Sequence, residues 1–170
     1  MNSEVFDVIK SFESCTLCPR KCKVNRLAKE MGACHADAQM RAARAALHFW
    51  EEPCISGQEG SGAVFFSGCA LGCVFCQNTD ISRGQEGEVI SIDRLAQICL
   101  NLQAQGANNI NLVTAGHYVP AVADSLRRAK ARGLTIPVVY NSSGYETPHT
   151  LQLLEGLVDI YLPDMKYMDT

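Results

Sequence analysis

The regular alternation of short apolar runs with amphipathic segments, beginning at Ala63, constrains the fold more than any other feature of the sequence. Four apolar runs with the length of buried strands are separated by segments whose apolar residues recur at helical spacing. The runs are "AVFFSG", "NINLVT", "IPVVYN" and "VDIYLPDMKY". Because parallel strands need a crossover helix between them, this order predicts an α/β protein with a parallel sheet, either open or curved towards a barrel.

The predicted helices carry start and stop signals of their own. The segment "SIDRLAQICLNLQAQG" has Ser91 as a helix N-cap and Gly106 as a terminator. The segment "VPAVADSLRRAKARG" has Pro120 near its first turn and ends at Gly133, and "TPHTLQLLEGL" begins with Thr147 as its N-cap. By contrast, "QMRAARAALHF" favours a helix by propensity, although its position before a β-rich core argues against one.

Three cysteines follow the first predicted strand directly. The stretch "FFSGCALGCVFCQN" places Cys69, Cys73 and Cys76 within eight residues, which we call the cysteine loop (residues 69–76). A zinc site made of thiolates needs a fourth ligand, whereas three thiolates suit a [4Fe–4S] cluster whose fourth iron lacks a protein ligand. The loop would lie at the C-terminal end of a parallel strand, where such folds place their chemistry. The sequence therefore predicts an iron–sulfur site with one open iron.

A second set of cysteines lies near the N-terminus and suffices for a second metal site. Either a closed zinc site or an auxiliary [4Fe–4S] cluster fits the spacing, His35 is an alternative to one of the thiols, and Cys54 is a further candidate ligand. The four cysteines are Cys15, Cys18, Cys22 and Cys34.

We divide the sequence into a Cys-rich N-terminal metal-binding segment and connector, residues 1–62, and a (βα) core, residues 63–170, incomplete at its C-terminus.

The end of the sequence bears on the size of the sheet. The chain stops at Thr170, a few residues beyond the fourth predicted strand. A complete parallel barrel needs more strand–helix units than this. The prediction is therefore a partial, truncated parallel (βα) barrel, so that either the sheet is small or the sequence is a piece of a longer protein.

Composition narrows the class of protein. The 170 residues carry a formal charge of −3 with a pI near 5.8, which argues against nucleic acid as a partner. No apolar stretch approaches the ~20 residues of a membrane span, and the acidic N-terminus is unlike a signal peptide. The nine cysteines are therefore interpreted in a reducing cytoplasm, where grouped thiols indicate metal binding or redox chemistry, and their odd number argues against a fully paired disulfide framework. The basic residues Arg20, Lys21, Lys23 and Arg26 are predicted to form a solvated face.

The cysteine loop also matches a known pattern. Cys69-Ala-Leu-Gly-Cys73-Val-Phe75-Cys76 has the Cys-x-x-x-Cys-x-aromatic-Cys spacing of radical S-adenosylmethionine (radical SAM) enzymes. The words "HFWEEPCISG", "GSGAVFFSGC", "VVYNSSGYE" and "VDIYLPDMKY" resemble the pyruvate formate-lyase activating-enzyme-like branch of that superfamily. The resemblance runs from Cys15 to the C-terminus, and it implies a partial (βα) barrel of the radical SAM type.

The resemblance implies a radical SAM oxidoreductase with a [4Fe–4S] cluster and S-adenosylmethionine as cofactors. In such enzymes the amino and carboxylate groups of S-adenosylmethionine chelate the open iron. The reduced cluster cleaves the sulfonium to methionine and a 5′-deoxyadenosyl radical, which abstracts hydrogen from a substrate. A reductant such as flavodoxin or ferredoxin is implied, and the branch implies a glycyl-radical protein as the partner. A small-molecule substrate is the alternative.

The resemblance also implies cofactor-binding residues at the ends of the predicted strands. Phe75 would pack by the adenine, and the segment that binds the methionyl amino group corresponds to residues 114–117, where the usual acidic residue is missing. Each set of residues also has a structural alternative. His117, after the second strand, could be a structural histidine. The residues after the third strand could form a simple turn, and those after the fourth a surface ion pair. The implied cofactor-binding residues are Phe75, Thr114, His117, Asn141, Ser142, Asp164 and Lys166.

Two other functional hypotheses stay open. The protein could be a non-catalytic iron–sulfur or zinc module for electron transfer or assembly, which a protein ligand on the fourth iron would favour. It could also be an inactive fragment that binds a cluster.

Overall fold

A mixed sheet of six strands forms the centre of the protein in the computed structural model, which describes residues 10–50 and 52–166. Glu51 and Tyr167, which belong to two of the sequence segments quoted above, lie outside the described residues. The order across the sheet is β3-β1-β2-β4-β5-β6. The strands in chain order are β1 Arg41–His48, β2 Ser61–Phe66, β3 Glu88–Val89, β4 Ile110–Val113, β5 Val138–Ser142 and β6 Ile160–Pro163.

The predicted α/β class and the predicted parallel strands are confirmed. Strands β2, β4, β5 and β6 are parallel neighbours in chain order, and helices connect β2 to β4, β4 to β5 and β5 to β6. The α-helices whose two ends both lie within the described residues are α1 Pro53–Ser56, α2 Thr79–Ser82, α3 Ile92–Ala104, α4 Val119–Ala131 and α5 Pro148–Gln152.

The helix boundaries follow the predicted signals except at the end of α5. The Ser91 hydroxyl caps α3 by accepting the Arg94 N–H, and the Thr147 hydroxyl caps α5 in the same way. Pro120 lies in the first turn of α4. Helix α5 ends at Gln152, and the residues up to 157 form turns instead of the predicted continuation.

Strand β1 is the element for which residue propensity alone is misleading. Its sequence, "RAARAALH", is rich in good helix formers, yet it pairs antiparallel with β2 from Ala42 to His48 and also with β3. Helix propensities differ by less than about 1 kcal/mol per residue. Hydrogen bonding to the edge of β2 outweighs that preference. Residues 41–48 of the predicted N-terminal segment thus extend the sheet of the core.

The two faces of the parallel strands have different neighbours. On one face Val64, Leu112 and Tyr140 lie in register and are almost fully buried. They belong to the same core cluster as Leu95 of α3 and Leu126 of α4. Because successive side chains of a strand point to opposite faces, the next residue of each strand faces away from these helices. That opposite row lines the site described below.

No helix in the described part of the chain is both long and apolar enough to cross a membrane.

Candidate active site

A cavity of about 580 Å³ opens at the C-terminal ends of the parallel strands. One row of the sheet contributes Phe65, Val113, Asn141 and Leu162, which are in register from β2 to β6. The residues that the sequence predicted for the site, apart from His117, line this one cavity: Cys69, Cys73, Phe75, Cys76, Thr114, Asn141, Ser142, Asp164 and Lys166.

The cysteine loop forms one wall of the cavity. Its three thiol residues are half-buried, whereas Val74 between them is 98% exposed and Phe75 is 63% exposed. The Cys76 N–H donates to the Cys73 carbonyl, and the Thr79 hydroxyl at the start of α2 donates to the Cys76 carbonyl. The backbone therefore turns back on itself so that the thiols and one aromatic ring share the wall.

Gly68 lets the loop leave β2 in close contact with the N-terminal segment. Its φ is 91°, and a Cβ at this position would lie 2.5 Å from the Cys34 carbonyl oxygen. That carbonyl accepts the backbone N–H of Cys69 at 3.1 Å. A side chain at residue 68 would push apart the two backbone groups that fix the start of the cysteine loop.

We expect Gly68→Ala to destabilise the protein by more than about 3 kcal/mol, because the positive φ and the clash with Cys34 add to the lost hydrogen bond. Gly72→Ala is the matched control, since Gly72 also has a positive φ of 67° but no atom within 4 Å of the added Cβ. We expect Gly72→Ala to lower the free energy of unfolding by about 1–2 kcal/mol, the ordinary penalty for a residue other than glycine in the left-handed region. Urea unfolding of both variants measures the difference, and equal costs would contradict the steric argument.

Residues at the ends of β4, β5 and β6 form another part of the cavity wall. Thr114 has a left-handed φ of 58°, rare for a β-branched residue, and its N–H donates to the Asn141 carbonyl at 2.9 Å. The Asp164 N–H donates to the Ser142 carbonyl at 2.8 Å. Strained backbone of this kind persists only where surrounding structure holds it, and such residues cluster at functional sites.

The positively charged side chain of Lys166 lies near the thiols of the cysteine loop. Its ammonium group forms an ion pair with Asp164 at 2.6 Å. The pKa of Lys166 is raised by the hydrogen bond to Asp164 first, and the nearby thiols of Cys73 and Cys76 add to the effect. A lysine at this position can neutralise the negative charge of thiolates or of a bound carboxylate.

Glu146 is a residue that sequence reasoning missed. Its carboxylate accepts the Tyr140 and Ser142 hydroxyls, both at 3.2 Å. Burial raises the pKa of the Glu146 carboxyl. Gly116 approaches so closely that a Cβ there would lie 2.8 Å from a Glu146 oxygen. The carboxylate thus orients Ser142 from behind the cavity wall.

His117 is buried away from the cavity. Its exposed fraction is 4%, and its Nε2 hydrogen-bonds the Ser67 carbonyl at 2.7 Å. Burial, with the charge of Arg26, lowers the pKa of His117 to about 3. The position supports the structural alternative for this residue rather than direct contact with a ligand in the cavity.

We expect His117 to make stability fall with acidification. Between about pH 6.5 and pH 3 the unfolded imidazole binds a proton that the folded one does not. The unfolded state therefore gains up to about 1.4 kcal/mol per pH unit over that range. His117→Gln keeps a hydrogen-bond donor but does not titrate, so its free energy of unfolding should change less from pH 6.5 to pH 4. Parallel pH profiles for the two proteins would contradict this assignment.

The donor set of the cysteine loop fits an iron–sulfur cluster. Among the described residues, no three His, Cys, Asp or Glu side chains form a group that could hold a metal ion. Two thiolates that share one zinc ion lie at most about 4.6 Å apart, given Zn–S distances of about 2.3 Å. The cysteine ligands of a cluster bind separate irons and lie farther apart. Three thiols that line one cavity supply the thiolate donors of such a cluster.

Several further cavity residues had no predicted role. Glu52 precedes α1, and Gln77 and Asn78 follow the last cysteine of the loop directly. The position of Gln77 and Asn78 next to Cys76 is a signal that the sequence does carry. Glu52 comes from a distant part of the chain, and nothing local indicates that it reaches the cavity.

Two comparisons relate the chain to known proteins. A family model described as Radical SAM superfamily matches residues 63–169, which include the cysteine loop and the strand ends that line the cavity. An uncharacterized protein of Methanocaldococcus jannaschii is 33% identical over 163 residues, covering 92% of this chain and 46% of that protein. The chain thus spans about half the length of this relative. No solved structure matches the chain significantly.

Proposed function

The chain belongs to the radical SAM superfamily, and on this premise we propose that it cleaves S-adenosylmethionine reductively to remove hydrogen from a substrate. Membership of the superfamily implies an enzyme with a [4Fe–4S] cluster and S-adenosylmethionine. The observation that carries the proposal is the shared cavity, in which three thiols face polar and charged residues from the ends of the parallel strands.

Cys69, Cys73 and Cys76 would hold the cluster by three of its irons. When bound, the cluster and S-adenosylmethionine supply the one-electron cleavage that yields the hydrogen-abstracting group. The protein's part is to bind and orient the cofactor and to limit access of water and other quenchers. Phe75 offers an aromatic surface for the adenine on the same wall as the thiols.

The strand-end part of the cavity wall would bind the polar parts of the cofactor. Asn141 presents its amide where the sheet ends, and Thr114 lies nearby, whereas the buried Ser142 hydroxyl is bonded to Glu146 and supports this wall. Ser142 is held by Glu146, so its hydroxyl has a defined orientation. Asp164 and Lys166 offer one carboxylate and one ammonium group, which suit the amino and carboxylate groups of a methionyl moiety.

Narrower assignments are part of the same proposal and rest on the sequence resemblance. They are the pyruvate formate-lyase activating-enzyme-like branch, an oxidoreductase class, and a glycyl-radical protein as the partner. A flavodoxin or ferredoxin as the reductant, a cytoplasmic location, and curvature of the sheet as part of a (βα) barrel belong with them. The division into an N-terminal segment, residues 1–62, and a core, residues 63–170, is retained as a proposal.

The test of this function is product formation by the full chain. The protein would be reconstituted anaerobically with iron and sulfide, reduced with dithionite, and mixed with S-adenosylmethionine. Equal amounts of 5′-deoxyadenosine and methionine are expected, and a reaction without dithionite should give neither. A reducible cluster with no 5′-deoxyadenosine would reject the proposal in favour of an electron-transfer module or an inactive fragment.

Within this assay we expect Lys166→Met to lower cleavage at subsaturating S-adenosylmethionine by about tenfold, since a charge-assisted hydrogen bond contributes about 1.5–3 kcal/mol. Lys130→Met is the matched control, because Lys130 has a similar exposed fraction, 34% against 36%, and pairs with Asp159 at 4.0 Å. Lys130 lies on α4 outside the cavity lining. Equal losses in both variants would show that Lys166 has no specific role.

A further inference from the structure

The four N-terminal cysteines lie together in one small lobe, which we call the knuckle (residues 15–34). The Cys15 N–H donates to the Val24 carbonyl at 3.1 Å, and the Lys23 N–H donates to the Cys15 carbonyl at 2.9 Å. These bonds fold the chain back at Cys18 and Cys22. The knuckle thus brings cysteines from both ends of the fold-back to one place.

Close contacts between thiol-bearing segments support this grouping. A Cβ on Gly32 would lie 2.7 Å from the Cys22 sulfur, so Cys22 packs against the chain that leads to Cys34. Cys15 and Cys34 are buried, Cys18 is half-buried and Cys22 is exposed.

A buried cation lies beside the knuckle thiols. Arg26 is only 1% exposed, so the predicted solvated face is wrong for this residue. Its guanidinium donates to the Asp37 and His117 carbonyls and lies 3.9 Å from the Cys15 sulfur. None of the ion pairs within the described residues includes Arg26. A buried charge is costly without a counter-charge, and a centre made of four thiolates and a metal is anionic.

The knuckle also touches the cysteine loop directly. The Cys34 carbonyl accepts the Cys69 N–H, as described above. Arg20, between Cys18 and Cys22, donates from Nε to the Ala70 carbonyl at 2.7 Å and from Nη2 to the Leu71 carbonyl at 3.3 Å. The first residues of the loop are therefore held through groups that belong to the knuckle.

We propose that Cys15, Cys18, Cys22 and Cys34 bind a metal centre through four thiolates, and that this centre holds the cysteine loop in position through Arg20 and the Cys34 carbonyl. As the described residues stand, no three of these thiols form a group that could hold one metal ion, so binding either draws them together around zinc or spans them with an iron–sulfur cluster. The metal site is independent of the proposed function. The bracing of the loop backbone is likewise independent of it, and it would serve the proposed function when the loop carries a cluster.

The metal site is tested in the full chain with Cys69, Cys73 and Cys76 all replaced by alanine, so that only the knuckle can bind. The protein would be purified anaerobically from cells supplied with zinc and iron, and analysed by native mass spectrometry with zinc, iron and sulfide assays. We expect one centre per chain, either a single zinc ion or iron and sulfide in equal amounts. Adding Cys22→Ala should abolish it, because Cys22 is exposed and its loss removes a ligand without emptying the core. Cys54→Ala, at another exposed cysteine, should leave it unchanged.

The outcomes separate the two proposals. No metal in the triple variant, with a cluster in the unmutated protein, would overturn the knuckle site and leave the proposed function standing. Metal in the triple variant, with no added cluster in the unmutated protein, would overturn the proposed function and leave the knuckle site standing.

The bracing is tested by hydrogen exchange of peptides that cover residues 68–78, again in the triple variant. Arg20→Ala keeps all four knuckle thiols but removes two hydrogen bonds to the loop. We expect exchange in these peptides to rise about two- to tenfold for each hydrogen bond lost, the equivalent of about 0.5–1.5 kcal/mol per hydrogen bond. Cys22→Ala should do the same, and Arg94→Ala, on the exposed side of α3, should not. Unchanged exchange in Arg20→Ala and Cys22→Ala would overturn the bracing.

Discussion

Replacing Cys73 by alanine is expected to abolish cleavage of S-adenosylmethionine. Cys73 lies in the middle of the cysteine loop and lines the cavity, and the proposed cluster would retain only two thiolates without it. Loss of an outer partner of a metal ligand typically costs about 10–100-fold. Loss of a ligand itself should exceed about 100-fold. The measurement is 5′-deoxyadenosine formation together with iron and sulfide per chain.

The control for this experiment is Cys54→Ala, which removes an exposed thiol outside the cavity lining. It should keep both the iron content and the product. If Cys73→Ala retained a full cluster and normal cleavage, the cysteine loop would not be the cluster site. Cys99 is unsuitable as a control, because it is fully buried in the core between the sheet and helices and its loss would create a cavity.

The second large effect is expected at Arg26, whose replacement by alanine should destabilise the protein by about 3–5 kcal/mol. Removing the guanidinium leaves the Asp37 and His117 carbonyls without their donor, at about 1–3 kcal/mol for each buried group. Contacts with the rings of Phe12 and Tyr118, 4.6 and 5.4 Å from the guanidinium carbon, are lost as well. Because whole domains are stable by only about 5–15 kcal/mol, this is a large fraction.

Urea unfolding at matched metal content measures this effect. Arg94→Ala should change the free energy of unfolding by less than about 0.5 kcal/mol, as is usual for exposed positions. Arg26→Lys should not rescue stability, because an ammonium cannot reproduce the planar set of donors. A cost below about 1 kcal/mol for Arg26→Ala would mean that the buried guanidinium does not hold the knuckle against the core.

The convergence of the candidate site could be anticipated because parallel strands end at one edge of their sheet. Asn141 and Asp164 are far apart in sequence, yet each follows an apolar run, and the fold brings both to one cavity. The helix caps at Ser91 and Thr147 depend on neighbouring residues only, so the sequence predicts them too. Patterns of this kind depend on spacing within a few residues.

Features that depend on distant contacts could not be read in the same way. Arg26 looks like one of several basic residues near Arg20, and only its packing between two rings reveals that it is buried. The partners of Arg20 lie about fifty residues away. Glu146 reaches Ser142 and Gly116 because the chain turns sharply before α5. Strand β1 forms because β2 offers an edge to pair with, which no local propensity encodes.

The most direct test of the central claim is electron paramagnetic resonance of the reduced, reconstituted protein before and after S-adenosylmethionine is added. The spectrum of the variant lacking Cys69, Cys73 and Cys76 would be subtracted to isolate the cluster of the cysteine loop. A cluster held by three thiolates leaves one iron open, so its signal should shift and saturate at one equivalent of S-adenosylmethionine per chain. An assembled cluster with an unchanged signal would mean that the fourth iron is closed, which contradicts the account and favours an electron-transfer module.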